Sequence, residues 1–154
     1  MQERVALNWE QIQKDCVDLS KKIKSCDVIV SVGRGGLVPS TILSHLLDSV
    51  PIYNFGIKSY NSKNKQEELI YDQTLGIKFT SKYRDSRVIV VDDLSDRGTT
   101  LNAVKDFFDL QQFNYYKTAT LYIKNSTLYV PNYFVKNFDD KIWLDFPWET
   151  CKLD

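Results

Sequence analysis

A chain of 154 residues, 43% hydrophobic and 26% charged, has a globular composition and suits one packed domain spanning 1–154, large enough to bury a core without staples. Its 20 basic and 20 acidic residues cancel, so no bulk field draws it to nucleic acid or a membrane, and any anion site must be local. No apolar run approaches the roughly 20 residues of a membrane helix, "MQERVALNWE" lacks a signal-peptide core, and Cys16, Cys26 and Cys151 form no CxxC pair, so reduced thiols in a cytoplasm are expected.

In chain order, "NWEQIQKDCVDLSKKIKS" opens with Asn8 as an N-cap and Gln11 at the capping-box position. Trp9, Ile12, Cys16, Leu19 and Ile23 then recur at helical intervals, which predicts an amphipathic helix. "DVIVSVG" predicts a buried strand, and "GRGGLVPSTILSHLL" a glycine turn entering a second helix, with Pro39 near its start. His45, in the apolar run of that helix, is expected to be a packing residue. "PIYNFGIKSY" reads as a strand, "NSKNKQEE" as a loop and "LIYDQ" as the return arm of a hairpin. "RVIVV" is the next strand, and "TTLNAVKDFFDLQQF" a helix with an apolar stripe of Leu101, Val104, Phe107 and Phe108. "KTATLYIK" and "NYFVKNF" predict further strands, and "KIWLDFPWE" an irregular aromatic tail in which Trp148 is structural. This alternation predicts an α/β fold, a mostly parallel central sheet flanked by helices, with its site at the carboxyl ends of strands.

Chemistry concentrates in "VIVVDDLSDRGTTL". Val88 to Val91 form the strand, and Asp92 and Asp93 emerge at its end. The loop Asp96-Arg97-Gly98-Thr99-Thr100 then enters a helix whose first N–H groups are unpaired, a ready phosphate site. Paired carboxylates beside a phosphate cradle suit a ligand with hydroxyls and a metal as well as phosphate, such as a phosphorylated ribose. Neither a Walker A loop nor a GxGxxG fingerprint is present. Gly33-Arg34-Gly35-Gly36 permits a tight turn and close backbone approach, a weak signal when taken alone. No His/Cys cluster has zinc-site spacing.

"VIVVDDLSDRGTT" resembles the phosphoribosyl-pyrophosphate (PRPP) motif of type I phosphoribosyltransferases. "VSVGRGGLVPSTILSHLL" resembles the pyrophosphate-loop segment of bacterial xanthine-guanine phosphoribosyltransferases, and "KIWLDFPWE" the tail of that subfamily. The likeness runs over about residues 8 to 150. It implies the type I phosphoribosyltransferase fold, with a small hood formed by the N-terminal segment and about residues 124–154.

The resemblance also implies roles. Asp92 and Asp93 match the acidic pair that meets the ribose hydroxyls and Mg²⁺, and Asp96 the carboxylate near purine N7 proposed as general base. Asp96, Arg97, Gly98, Thr99 and Thr100 match the 5′-phosphate loop. Family members commonly carry Thr where this chain has Arg97, whose side chain is expected to point to solvent while its backbone binds. Arg34, Gly35 and Gly36 match the pyrophosphate loop, with a cis peptide expected between Arg34 and Gly35. Lys58, Ser59 and Tyr60 match the start of a mobile lid. Lys124 matches the lysine that donates to a purine 6-oxo group, Trp143 the aromatic stacked on the base, and Leu144 the residue whose carbonyl meets the ring edge. His45 receives no catalytic role.

The activity so implied is Mg²⁺-dependent transfer of phosphoribose from PRPP to N9 of a 6-oxopurine, by a cytoplasmic homodimer or homotetramer that binds neither nucleic acid nor membrane. A transferase for another base and a non-catalytic PRPP-sensing regulator are the alternatives. Lys124, a pure donor, opposes adenine.

Overall fold

The computed structural model describes residues 2–60, 68–73, 77–151 and 153. Its main sheet has six strands in the order β4-β3-β2-β5-β6-β7. These are β2 (Val28–Val32), β3 (Ile52–Tyr60), β4 (Glu68–Gln73), β5 (Val88–Ser95), β6 (Tyr116–Lys124) and β7 (Lys136–Phe138). Every pairing in it is parallel except that of β3 with β4, an antiparallel hairpin arm. Among the described residues four helices accompany it: α1 (Trp9–Ile23), α2 (Leu37–Leu46), α3 (Ile77–Tyr83) and α4 (Thr99–Leu110). This is the α/β architecture that the strand–helix alternation predicts.

Because successive strand residues face opposite ways, the buried strands β2 and β5 feed two cores. Ile29, Ile89 and Val91 join Ile12, Cys16 and Leu19 of α1 and Leu43 of α2 on one face. Val28, Val30, Val32, Val88 and Val90 join Phe79 and Tyr83 of α3 and Val104 and Phe108 of α4 on the other. Asn8 caps α1 as expected, its side chain accepting from the Gln11 amide at 2.8 Å. Residue Asp15, on the buried side of α1, accepts from the Tyr122 hydroxyl at 2.5 Å and pairs with Lys136 at 3.3 Å.

Topology creates the crevice. From β2 the chain passes through α2 to β3 on one side, and from β5 through α4 to β6 on the other. The order therefore reverses between β2 and β5, the place where open parallel sheets bind ligands. Pairing of β2 with β5 ends at Ser31↔Val91, whereas β5 stays paired with β6 out to Ser95↔Ile123. Beyond Val91, β5 thus runs on with its β2 side open.

Several expectations are corrected. The strand carrying Asp92 and Asp93 does not stop at Val91 but continues through Ser95, because β6 supplies a partner after β2 has turned away. The tail is not irregular: β8 (Ile142–Asp145) pairs in parallel with an unanticipated β1 (Glu3–Ala6), forming a separate two-stranded sheet. A bidentate Arg4–Asp145 ion pair, with contacts of 3.0 and 2.6 Å, ties the two strands together. Of "NYFVKNF" only Lys136–Phe138 is a strand, preceded by a single bridge from Tyr133 to Ala119. Helix α3 was not foreseen, because its seven residues are too few for a clear period. His45 is exposed rather than packed, because α2 buries Pro39, Ser40, Leu43 and Ser44 on its other side. Likewise Trp9, placed in the apolar stripe of α1, is 53% exposed.

Among the described residues no helix is long and apolar enough to cross a membrane. Cys16, Cys26 and Cys151 are free thiols, and burial pushes Cys16 up to about 12 and Cys26 to about 11, out of the reactive range.

Candidate active site

Two adjoining cavities open at the carboxyl ends of β2 and β5, sharing Asp92, Asp93, Thr100 and Glu149. One runs along the β5–α4 loop, lined by Asp96, Arg97, Gly98 and Thr99, and is closed by Lys124, Trp143 and Leu144. The other runs along the β2–α2 turn, lined by Gly33, Arg34 and Gly35, with Trp148 at its edge. Residues separated by more than a hundred positions are therefore assembled in one cleft.

The carboxylates form its floor. Asp92 is buried and Asp93 partly so, and the Asp93 amide donates to Asp92 Oδ1 at 2.8 Å. Burial, with the neighbouring Asp93 charge added, raises Asp92 well above the usual carboxylate range. Burial also lifts Asp93 to about 6; its hydrogen bond with Asp92 opposes that rise and the charge of Glu149 adds to it. Two carboxylates held this way gain from a cation between or beside them. Among the described residues no group of three or more His, Cys, Asp or Glu could cage a metal. A pair of carboxylates instead fits Mg²⁺, which takes one or two from a protein and completes its shell with water and substrate oxygens.

The loop after β5 is shaped by its neighbours. Gly98 has φ +92°, and a Cβ there would lie 2.6 Å from the Tyr129 amide nitrogen. Only glycine fits that backbone and that space. Arg97 is exposed, while its carbonyl accepts from the Leu128 amide at 3.0 Å. Ser95 Oγ donates to the Tyr129 carbonyl at 2.8 Å, so the 125–132 segment buttresses the loop from behind. Asp96, Thr99 and Thr100 then lie around the start of the twelve-residue helix α4, where orphan N–H groups and the helix dipole favour an anion.

The glycine turn differs in detail from expectation. Gly35 lies so close to Asp93 that a Cβ would sit 2.5 Å from its Oδ2. Gly36 does not line either cavity; a Cβ there would meet Val91 O at 2.4 Å and Val32 N at 2.7 Å, so it allows α2 to start against β2 and β5. The peptide between Arg34 and Gly35 is trans, since the described residues contain no cis bond. A non-proline cis bond costs ~3–4 kcal/mol, and the trans turn brings the Gly36 amide to the Val32 carbonyl at 3.0 Å without it.

Lys124, at the end of β6, is buried, with Nζ donating to the carbonyls of Asp139 (3.4 Å) and Ile142. Those bonds tie it to the segment that leads into Trp143 and Leu144 on β8. Trp143 is 46% exposed, with the Arg4 guanidinium 5.8 Å from its ring centroid, and Leu144 is buried. Lys58, Ser59 and Tyr60 end β3, opposite Ile70, Leu69 and Glu68 of β4. The rest of the expected lid, residues 61–67, lies outside the described residues.

Sequence reasoning missed Glu149 and Arg4. Burial raises Glu149, with the Asp145 charge adding and the Arg34 charge opposing. "WET" gave no signal for it, because its meaning comes from standing where the two cavities join. Trp148, expected to be structural, stacks on Phe146 at 4.7 Å and also reaches the glycine-turn cavity.

Comparison with known proteins agrees with this geometry. The family model described as phosphoribosyl transferase domain matches residues 7–153. A xanthine-guanine phosphoribosyltransferase of Desulfotalea psychrophila is 30% identical over 147 residues, covering 94% of this chain and 85% of that protein. The Cereibacter sphaeroides protein of the same name is 27% identical over 152 residues, covering 94% and 86%. The crystal structure of a purine phosphoribosyltransferase from Pyrococcus horikoshii superposes with a TM-score of 0.82 at 33% identity, covering 98% of this chain and 97% of that one. A Helicobacter pylori xanthine-guanine-hypoxanthine phosphoribosyltransferase gives 0.77 at 25% identity, covering 96% and 95%. With its two turns meeting at the reversal point of the sheet and a family match over nearly its whole length, the chain belongs to the phosphoribosyl transferase domain family and has the type I fold.

Proposed function

We propose that this protein is a purine-salvage enzyme that transfers phosphoribose from PRPP to N9 of a 6-oxopurine, guanine, xanthine or hypoxanthine, releasing pyrophosphate. One observation carries the reading: the acidic loop, the glycine turn and the Lys124–Trp143–Leu144 group line a single cleft at the β2/β5 switch point. The names of the relatives support the purine.

In this reading the start of α4 and Thr99 and Thr100 hold the 5′-phosphate, and Gly33 to Gly35 receive the pyrophosphate. Asp92 and Asp93 accept from the ribose hydroxyls and are the residues that would hold Mg²⁺. When bound, Mg²⁺ would neutralise charge on the departing pyrophosphate. Trp143 offers an aromatic face to the base. Lys124, whose Nζ also donates to the Asp139 and Ile142 carbonyls, gives a proton to the purine 6-oxo group in this reading, an acceptor that adenine lacks. As the anomeric C–O bond breaks and N9 bonds to that carbon, Asp96 accepts the proton that the purine loses. The β1–β8 sheet forms part of a hood over the base, and Lys58, Ser59 and Tyr60 begin a lid that excludes water. The expected setting is cytoplasmic, and the expected assembly a homodimer or homotetramer.

The test is a parallel assay with Mg²⁺, PRPP and guanine, xanthine, hypoxanthine, adenine, uracil or orotate. Turnover of 6-oxopurines without adenine is the expected result. PRPP binding with no base consumed would replace the enzyme by a PRPP sensor.

A further inference from the structure

The β2–α2 turn is held by a polar bracket that neither the motif nor the family match assigns. Strand β2, "VIVSV", is fully buried, and Ser31 is the one polar residue in it. In register Ser31 stands beside Asn54 of β3. The Asn54 amide nitrogen donates to Ser31 Oγ at 2.8 Å and to the Gly33 carbonyl at 2.9 Å, with a longer 3.4 Å contact to the Ser31 carbonyl. Two of these three acceptors are backbone carbonyls, so the nitrogen rather than the oxygen of the amide must face them.

Gly33 is thereby gripped from β3 on three sides. Its amide donates to the Phe55 carbonyl at 2.8 Å, its carbonyl accepts from Asn54, and its missing Cβ would lie 2.7 Å from the Ile57 carbonyl oxygen. Its φ is +54°, a conformation that fixes the direction of the chain into Arg34 and Gly35. Among the described residues, the amides of Arg34 and Gly35 donate to no backbone carbonyl. They sit in the cavity beside Asp93.

We infer that Asn54 is a positioning residue for the leaving group: by fixing the Gly33 peptide from the neighbouring strand, it aims the Arg34 and Gly35 amides at the pyrophosphate of PRPP. The inference rests on the proposed transferase reading and adds a residue from outside the turn to it. Asn54 lines neither cavity. Its effect passes through one peptide plane, so it acts on the PRPP side of the reaction and leaves the purine side, beyond β5, alone.

Asn54→Asp keeps the shape and removes the donor, and Asn54→Ser, milder for folding, is too short to reach Gly33. Ser31→Ala removes the hydroxyl acceptor but leaves the Gly33 bond in place. Two measurements are made on each full-length variant: amide hydrogen exchange without ligand, and steady-state kinetics for both substrates. The expected result is faster exchange at residues 33–37 in both Asn54 variants. With it, the KM for PRPP rises about tenfold or more, while the KM for the purine stays within about twofold. Ser31→Ala should match the parent in both measurements.

If folded Asn54 variants keep the parent KM for PRPP, or if both KM values rise together, the positioning role is overturned. Unchanged exchange at the turn overturns the bracket itself, whatever the reaction. Should the parent protein fail to use PRPP, the transferase reading fails and takes this inference with it; that failure appears in the parent and not in the variants.

Discussion

The two turns that face each other across the cleft are built on opposite terms. In the β2–α2 turn, Gly33 and Gly36 have neighbours for their backbone groups, supplied by Phe55, Asn54 and Val32. In the β5–α4 segment, two carboxylates are held in a site that raises the proton affinity of both. The first turn is held in place by its neighbours, with the Arg34 and Gly35 amides left over for a ligand, and the second carries charge that a cation would offset. On the proposed reading, a fixed turn facing a charged segment across one cleft suits a metal-carrying phosphate.

The largest effect should come from Asp96 on the β5–α4 loop, the proposed general base. Asp96→Asn is expected to lower kcat by roughly 10²–10⁴ while PRPP affinity holds, as read from turnover and from ligand-induced melting shifts. Unchanged turnover would remove the general-base assignment. Next comes the β2–α2 turn. Gly36→Ala places a methyl against three backbone atoms of Val91 and Val32, all within 2.8 Å. That should destabilise the fold by about 1–3 kcal/mol in urea unfolding. A neutral effect would mean the start of α2 yields more easily than its contacts suggest.

How much of this was readable in advance depended on range. The β5–α4 motif was legible because strand, carboxylates, glycine and helix start are contiguous, each with a local cause. Gly98 in particular must be glycine for a reason the sequence hints at and Tyr129 completes. The chain's alternation likewise disclosed the parallel sheet and the hairpin arm. What stayed hidden was set by pairing at long range. β1 and β8 are four residues each and lack an alternating apolar face, so nothing local announces that they meet. Glu149 and Arg4 gain their meaning only from where that small sheet puts them. His45 misled because a run of apolar neighbours does not say which side of a helix is buried.

The central contrast, an acidic segment whose charge a cation would offset, can be tested with one variant. Burial lifts Asp93 to about 6, above its ordinary 3.8, so its favourable contribution to folding is present below about pH 4 and is lost as pH rises through 6. At pH 7.5 the charged Asp93 therefore costs stability in the ligand-free protein. Melting curves of the parent and Asp93→Asn at pH 7.5, with and without Mg²⁺ and PRPP together, measure both sides of that statement. The account predicts that ligand-free Asp93→Asn melts above the parent, yet gains little from Mg²⁺ and PRPP, which raise the parent's Tm. An Asp93→Asn protein that melts below the parent without ligand, or that shows the parent's full ligand shift, would contradict it.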